Sequence, residues 1–245
     1  MKATRRYGLV GKRLDHSFSK KYFTEKFIQN SIDASYENIE IDDFTHLKES
    51  ITEKKINGFN ITIPYKKNIV EAADKLSKTV QEIGAANCIK ISKNGNWIAH
   101  NTDVIGFEKS LLTFLKKERP NALIFGTGGA SQAVQFVLKR LNISFQIVSR
   151  TKKGACLQYK EINKKIISEN KLLINTTPLG TFPNIENSIQ IPYKFLSKAH
   201  FCFDLIYNPK KTEFLTRAAD RGAQIKNGLE MLEVQAEESW KIWNS

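Results

Sequence analysis

Residues 122–141, ALIFGTGGASQAVQFVLKRL, pass from an apolar run through a glycine turn into an amphipathic stretch. No other junction constrains the fold so much. A strand that is apolar throughout has to be covered on both faces, which favours a parallel sheet with helices on either side. Gly126 allows the tight turn, and Gly128 and Gly129 let backbone N–H groups approach a diphosphate. The helix that follows, opening with Ala130 and Ser131, would aim its positive end at that anion. Ser131 stands where the dinucleotide fingerprint has Gly or Ala, so the match is imperfect. A tight βα turn without a ligand would use the same glycines.

The next strand bears on which dinucleotide fits. NAD sites usually place an acid about 20 residues on, to bond the ribose 2′-OH. Here SFQIVSRTKK ends in Ser149, Arg150, Thr151 and Lys152, with no carboxylate. A guanidinium there suits the 2′-phosphate of NADP, through charge-assisted and bidentate contacts. The alternative is that Arg150 and Lys152 belong to a solvated basic face. Thr176 and Thr177 close the strand KLLINTT and would reach the adenosine or ribose.

Around this junction the chain alternates. Strands are expected at 7–11, 35–41 and 59–63, each followed by a helical stretch (19–29, 42–54 and 65–76). NCIKISKNGNWIAH (87–100) holds Asn94-Gly95 between two short strands, the signature of a hairpin, expected on the sheet edge. A helix begins near Asp103, and further strands are expected at 121–127, 144–150, 171–177 and 200–207. The stretch 151–171 is short for a full helix–strand–helix connection. A last helix over 229–243 carries Leu229, Leu232, Ala236, Trp240 and Trp243 at helical spacing. The reading is α/β: a mainly parallel N-terminal domain over 1–102 joined by the helix 228–245, and a nucleotide-binding domain over 103–227.

Charge and cysteines narrow the partners. The 38 Lys and Arg against 25 Asp and Glu leave a formal net charge of +13. Residues 139–171 alone hold nine of those cations against Glu161 and Glu169. A nucleic-acid surface would interleave aromatics for stacking, and only Phe145 and Tyr159 occur there. A phosphorylated small cofactor and a solvated basic face explain the patch better, so neither nucleic acid nor membrane is expected as a partner. Three widely spaced cysteines, Cys88, Cys156 and Cys202, indicate neither a disulfide framework nor a metal site. With no apolar signal segment at the start, a cytoplasmic setting is expected.

The stretch GFNITIPYKKNIV (58–70) carries the other chemistry. Phe59, Ile61 and Ile63 alternate with Asn60 and Thr62, as in a half-buried strand. Residues two apart share a face, so Asn60 and Thr62 could bond adjacent hydroxyls of one small polyol. Pro64 stops the strand, and Lys66 would emerge at the lip of the same site. An edge strand with a solvated Lys pair is the alternative for this stretch alone. Ser17 and Ser19 would share a face if extended, suiting a carboxylate, although Ser19 could instead cap a helix. Asp103 could likewise be a helix cap, a job Thr102 could take over.

Together these segments resemble the shikimate dehydrogenase family. The resemblance runs along nearly the whole chain: YGLVGKRLDHSFSKKYF, GFNITIPYKK, AANCI, HNTDVIGF, GTGGAS, SRT, INTTPLG, DLIYNPKKTEFL and NGLEMLEVQA. It implies reversible, NADPH-dependent reduction of 3-dehydroshikimate to shikimate, on a substrate domain and a Rossmann-type NADP-binding domain flanking a cleft. It also implies that Ser17 and Ser19 hold the substrate carboxylate, with Asn60, Thr62, Asn87 and Gln235 as its other polar ligands. Lys66 and Asp103 resemble the catalytic pair, with Lys66 donating the proton; a free lysine, with pKa near ~10.4, suits an acid at neutral pH. Tyr207 would lie near the substrate and Gly228 near the nicotinamide amide. The chain departs from the family after Ser19, where Lys20 and then Tyr22-Phe23 replace the usual Pro and His-Asn. An NAD-linked quinate/shikimate dehydrogenase, and a non-catalytic dinucleotide- or nucleic-acid-binding module, are the other readings; the small-molecule enzyme would act as a monomer or homodimer.

Overall fold

Two sheets of opposite character organise the chain. The computed structural model describes residues 5–14, 17–151 and 154–245. Strand β1 (Arg5–Gly11) leads to helix α1 (Phe18–Gln29), capped by Ser17, whose hydroxyl accepts the Lys20 N–H at 3.3 Å. Strand β2 (Ala34–Glu40) returns parallel to β1. A 3-10 turn at Phe44–His46, capped by Asp43, feeds helix α2 (Leu47–Glu53), and β3 (Gly58–Ile61) pairs parallel with β1 on its other side.

Strand β3 is shorter and drier than its alternation implies. All four residues are buried, whereas Ile63, read as core-facing, is 76% exposed in the turn beyond. The physical reason is position: β3 sits inside the sheet, covered on both faces, so polar Asn60 is buried as deeply as its apolar neighbours. The helical stretch expected over 65–76 resolves into helix α3 (Asn68–Ala72) and the two-residue strand β4 (Lys75–Leu76). Helix α4 (Lys78–Ile83) follows, started by the Ser77 hydroxyl and ended by Gly84 at φ +69°. The hairpin forms as β5 (Cys88–Ile91) and β6 (Trp97–His100), antiparallel. It is not the edge, because β4 pairs outside β6 and completes the order β2-β1-β3-β5-β6-β4.

Helix α5 (Thr102–Leu115) opens the second unit, whose sheet is parallel in every pairing. Its elements are β7 (Ala122–Phe125), helix α6 (Gly129–Arg140), β8 (Phe145–Ser149), β9 (Leu157–Gln158), helix α7 (Lys164–Glu169) and β10 (Leu172–Asn175). Then come β11 (Phe201–Asp204), helix α8 (Glu213–Ala219), β12 (Gln224–Lys226) and the final helix α9 (Leu229–Trp243). The order β12-β11-β10-β7-β8-β9 is, counted within this unit, the 3-2-1-4-5-6 winding of dinucleotide-binding folds. The short 151–171 connection appears as a two-residue β9 and a six-residue α7.

The compact units are the chain up to Thr102 with Ala236–Ser245, and Asp103–Gln235. The boundary therefore falls within α9 instead of before it. The first turns of α9 pack on α5, where a side chain at Gly106 would meet the Met231 carbonyl at 2.5 Å. The last turns pack on the first sheet. There the Trp243 ring lies over Gly58, stacks on Tyr7 at 4.8 Å, and donates its Nε1–H to the Ile89 carbonyl at 3.0 Å.

Candidate active site

The second unit brings its glycine turn and Thr176 to the strand ends on either side of the winding reversal, between β7 and β10. Gly126, directly after β7, sits at φ +114°, and a Cβ there would lie 2.6 Å from Thr176 Oγ1, just beyond β10. Both constraints demand glycine. Thr176 spends its hydroxyl on the Phe125 carbonyl at 2.7 Å, so it buttresses the turn. Thr177 bonds the Asn175 side chain. Gly128 caps α6 with no side-chain hydrogen bond, and a Cβ on it would enter open space. The first N–H groups of α6, from Gly129, Ala130 and Ser131, thus meet the requirements of a phosphate cradle. Ser131 is fully buried, its hydroxyl accepting from Gln135 at 3.0 Å, so a small residue is needed there for helix packing.

At the end of β8, Ser149 is buried while Arg150 and Thr151 are exposed. Lys152 lies outside the described residues. An open guanidinium, with no acid on the strand end, fits an anionic group on the ribose. Within the basic stretch, Arg140 is paired with Glu108 and Lys165 with Glu169, so part of that charge is a solvated, paired face.

In the first unit the turn after β3 is stitched to the segment before β5. The Ile61 N–H donates to the Asn87 carbonyl at 2.9 Å, and the Ala86 N–H to the Lys66 carbonyl at 2.8 Å. That brings Thr62, Lys66 and Asn87 onto one wall, with Thr62 and Lys66 half-buried. Asn60 behaves differently from the expectation that it faces a ligand beside Thr62. It is 4% exposed, its Nδ2 donates to the Asn87 carbonyl and to Ser239 Oγ, and its Oδ1 accepts from Tyr36. Asn60 braces the wall from behind. Ser17 and Ser19 do not form an extended pair: Ser17, itself extended, is the α1 cap, and Ser19 lies buried in the first turn, bonded to Tyr36. Burial pushes the Tyr36 phenol well above its usual range, so it stays a donor.

Helix α5 starts at Thr102, and Asp103 stands in its first turn, half-buried, instead of capping. The cap comes from afar: Asn87 Oδ1 accepts the Thr102 N–H at 2.7 Å, and Asn87 Nδ2 donates to Thr102 Oγ1 at 3.0 Å. Gln235, 6% exposed, donates to the Leu232 carbonyl on its own helix. Gly228 is fixed by contact: a Cβ there would sit 2.0 Å from the Leu205 carbonyl. Tyr207 is half-buried in the loop after β11.

Tyr36, Thr102 and Ser239 are the polar residues of this wall that sequence reasoning does not tie to it. Their partners lie 15 to 179 positions away, beyond any local pattern. Asp204 opens one of the segments that carry the resemblance, but no role follows for it from the sequence. It is buried, holds Asn175, Ile206 and Thr212 together, and desolvation pushes its carboxyl up to about 6 against three opposing hydrogen bonds. Among the described residues no His, Cys, Asp or Glu cluster could hold a metal, and no helix is long and apolar enough to cross a membrane.

Residues 9–89 match the family model described as the shikimate dehydrogenase substrate binding domain. A shikimate dehydrogenase (NADP(+)) of Caldicellulosiruptor saccharolyticus is 37% identical, over 96% of this chain and 90% of that protein. The crystal structure of shikimate dehydrogenase from Aquifex aeolicus is 31% identical, covers 100% of this chain and 94% of that one, and gives a TM-score of 0.88. The Thermus thermophilus shikimate 5-dehydrogenase, solved with NADP(H) and shikimate, is 26% identical over 98% and 93% of the two chains, with a TM-score of 0.85.

Proposed function

The chain belongs to the shikimate dehydrogenase family, and from that premise we propose that Lys66 and Asp103 drive its NADP-linked interconversion of 3-dehydroshikimate and shikimate. The reading is supported chiefly by the stitched wall that carries Thr62, Lys66 and Asn87 together, with the Asn87 side chain anchoring the helix turn on which Asp103 stands.

Bound NADPH supplies the hydride to the substrate carbonyl carbon. Lys66, as an ammonium, donates the proton to the carbonyl oxygen and stabilises the alkoxide as it develops. In the oxidative direction the free amine takes that proton back. Asp103 bonds a substrate hydroxyl and orients the lysine. Thr62 and Asn87 bind the ring hydroxyls, Ser17 and Ser19 the carboxylate, and Gln235 and Tyr207 complete the polar contacts. Gly126, Gly128, Gly129, Ala130 and Ser131 take the diphosphate, and Ser149, Arg150, Thr151 and Lys152 the 2′-phosphate. Thr176 supports that turn, and Gly228 lies by the nicotinamide amide. One small-ligand site needs no partner protein, and we infer a cytoplasmic monomer or homodimer.

The test is turnover of shikimate by the pure protein with NADP or NAD, followed as reduced nicotinamide, beside Asp103→Asn. NADP-linked turnover that falls at least about tenfold in Asp103→Asn supports the reading. Near-normal turnover in that variant removes Asp103 from the chemistry, and turnover mainly with NAD overturns the role of Arg150.

A further inference from the structure

Six buried polar side chains of the first unit form one connected network: Ser19, Tyr36, Asn60, Asn87, Thr102 and Ser239. Ser239 lies near the end of α9, fully buried, and nothing in the reaction outlined above uses it. Its Oγ is 2.8 Å from Asn60 Nδ2 and 3.2 Å from Thr102 Oγ1. Thr102 is held by the Asn87 side chain, and the Asn87 carbonyl accepts from Asn60 at 3.1 Å. Asn60, Ser239, Thr102 and Asn87 therefore close a ring of hydrogen bonds. The ring joins three elements distant in sequence: β3, the first turn of α5, and α9.

We propose that Ser239 is a positioning residue for the reaction: by closing this ring it fixes the first turn of α5, on which Asp103 stands, to the strand that leads into Lys66. The inference rests on the functional reading above and adds to it that the end of the last helix tunes the catalytic centre without touching the substrate. A buried amide that loses a partner must turn to find another, because an unsatisfied donor in a dry site is costly. Asn60 would turn, and Asn87 and Thr102 are bonded to the groups it would disturb. Displacements of about 1 Å at groups far from the reacting bond can cost on the order of 10²-fold in rate.

The experiment compares the wild-type chain with Ser239→Ala and with Tyr36→Phe, by steady-state kinetics across pH and by thermal melting. Tyr36→Phe deletes the hydroxyl bonded to Asn60 but keeps the ring stacked on Phe23 at 4.6 Å, so it preserves packing if the serine variant fails to fold. In Ser239→Ala, kcat for shikimate oxidation should fall about tenfold or more, and the midpoint of its pH profile should move, with KM for NADP unchanged. Tyr36→Phe should change the same quantities in the same direction, by about three- to tenfold in kcat. A lower melting temperature with kcat and pH profile intact in the folded variants would make the ring a purely structural brace and overturn the proposal. Wild-type protein inactive on shikimate with NADP would instead sink the functional reading itself, a result visible before any variant is made.

Discussion

The two units build their sites by different means. In the second unit the groups proposed to hold the cofactor are backbone N–H donors at a turn and a helix start, and the constraints on them are local: φ +114° at Gly126, a glycine cap on α6, an arginine at a strand end. In the first unit the wall is held by side chains drawn from five separate segments, with sequence separations from 15 to 179. Backbone-built sites tolerate most substitutions that keep the turn. Side-chain-built sites are exposed to any change in the elements behind them. Mutations chosen on each side should therefore fail in different ways.

The largest separation is expected at Lys66. Lys66→Ala should lower turnover by on the order of 10²–10⁴-fold, the usual scale for a general acid–base group, while NADP binding measured by fluorescence stays as in the wild type. Loss of both together would mean that the units do not divide the work as described. Turnover within tenfold of normal would take Lys66 out of the reaction.

Next in size is Trp243, which locks the end of α9 to the first sheet through Tyr7 and the Ile89 carbonyl and to α1 through Phe23. Trp243→Ala should cost about 3–5 kcal/mol, as for a large aromatic removed from a packed site. The unfolding transition should split, the first unit melting before the second. A single cooperative transition that merely shifts would show that the two units unfold as one.

These contrasts also explain what is legible in the sequence. The glycine turn, the parallel alternation, the hairpin and the last helix follow from periodicity and turn chemistry, so they are readable residue by residue. The hairpin's place inside the sheet is not readable, because β4, which covers it, has only two residues, too few for any pattern to register. Asn60 reads as ligand-facing because alternation implies two faces, one wet, and β3 lies inside the sheet with neither face open. Ser19 reads either as extended beside Ser17 or as a helix cap, and the serine pair alone does not announce that the helix starts between its members, with Ser17 as the cap. The ring through Ser239 leaves no trace in the sequence, since a lone serine on an apolar helix face looks like a small core residue. Long-range hydrogen bonding is the part of a site that local reasoning cannot reach.

A pH experiment sharpens the comparison further. The first unit's network is neutral, with Tyr36 kept protonated by burial, so it adds no pH dependence to stability near neutrality. The second unit carries Asp204, whose carboxyl burial raises from 3.8 to about 6. Between those values the folded state binds more protons than the unfolded one, so this group's contribution is full below about pH 4 and is lost as pH rises through about 6. The difference amounts to about 3 kcal/mol. Urea melts of wild type and Asp204→Asn across pH 4–7.5 should diverge in slope, the wild type losing stability relative to the variant as pH rises. Parallel curves would mean that Asp204 is solvated or charged in the folded chain.

The smallest effect tests the backbone-built site where it does use a side chain. Arg150 is exposed, so its contact with a 2′-phosphate would be partly screened, and the diphosphate would still be held by the α6 N-terminus. A charge-assisted hydrogen bond contributes about 1.5–3 kcal/mol, which converts to a change of about 10- to 100-fold in cofactor preference. Arg150→Ala should therefore raise KM for NADP by that factor, leave KM for shikimate alone, and bring NADP and NAD closer together without abolishing turnover. The loss should also shrink as salt is added, because screening already weakens the wild-type contact. If instead KM for NADP is unchanged, the phosphate is held elsewhere and Arg150 belongs to the solvated basic face. If turnover itself collapses, the arginine supports the fold of the short 151–171 connection, and cofactor choice in this chain would have to be sought in another residue of the second unit.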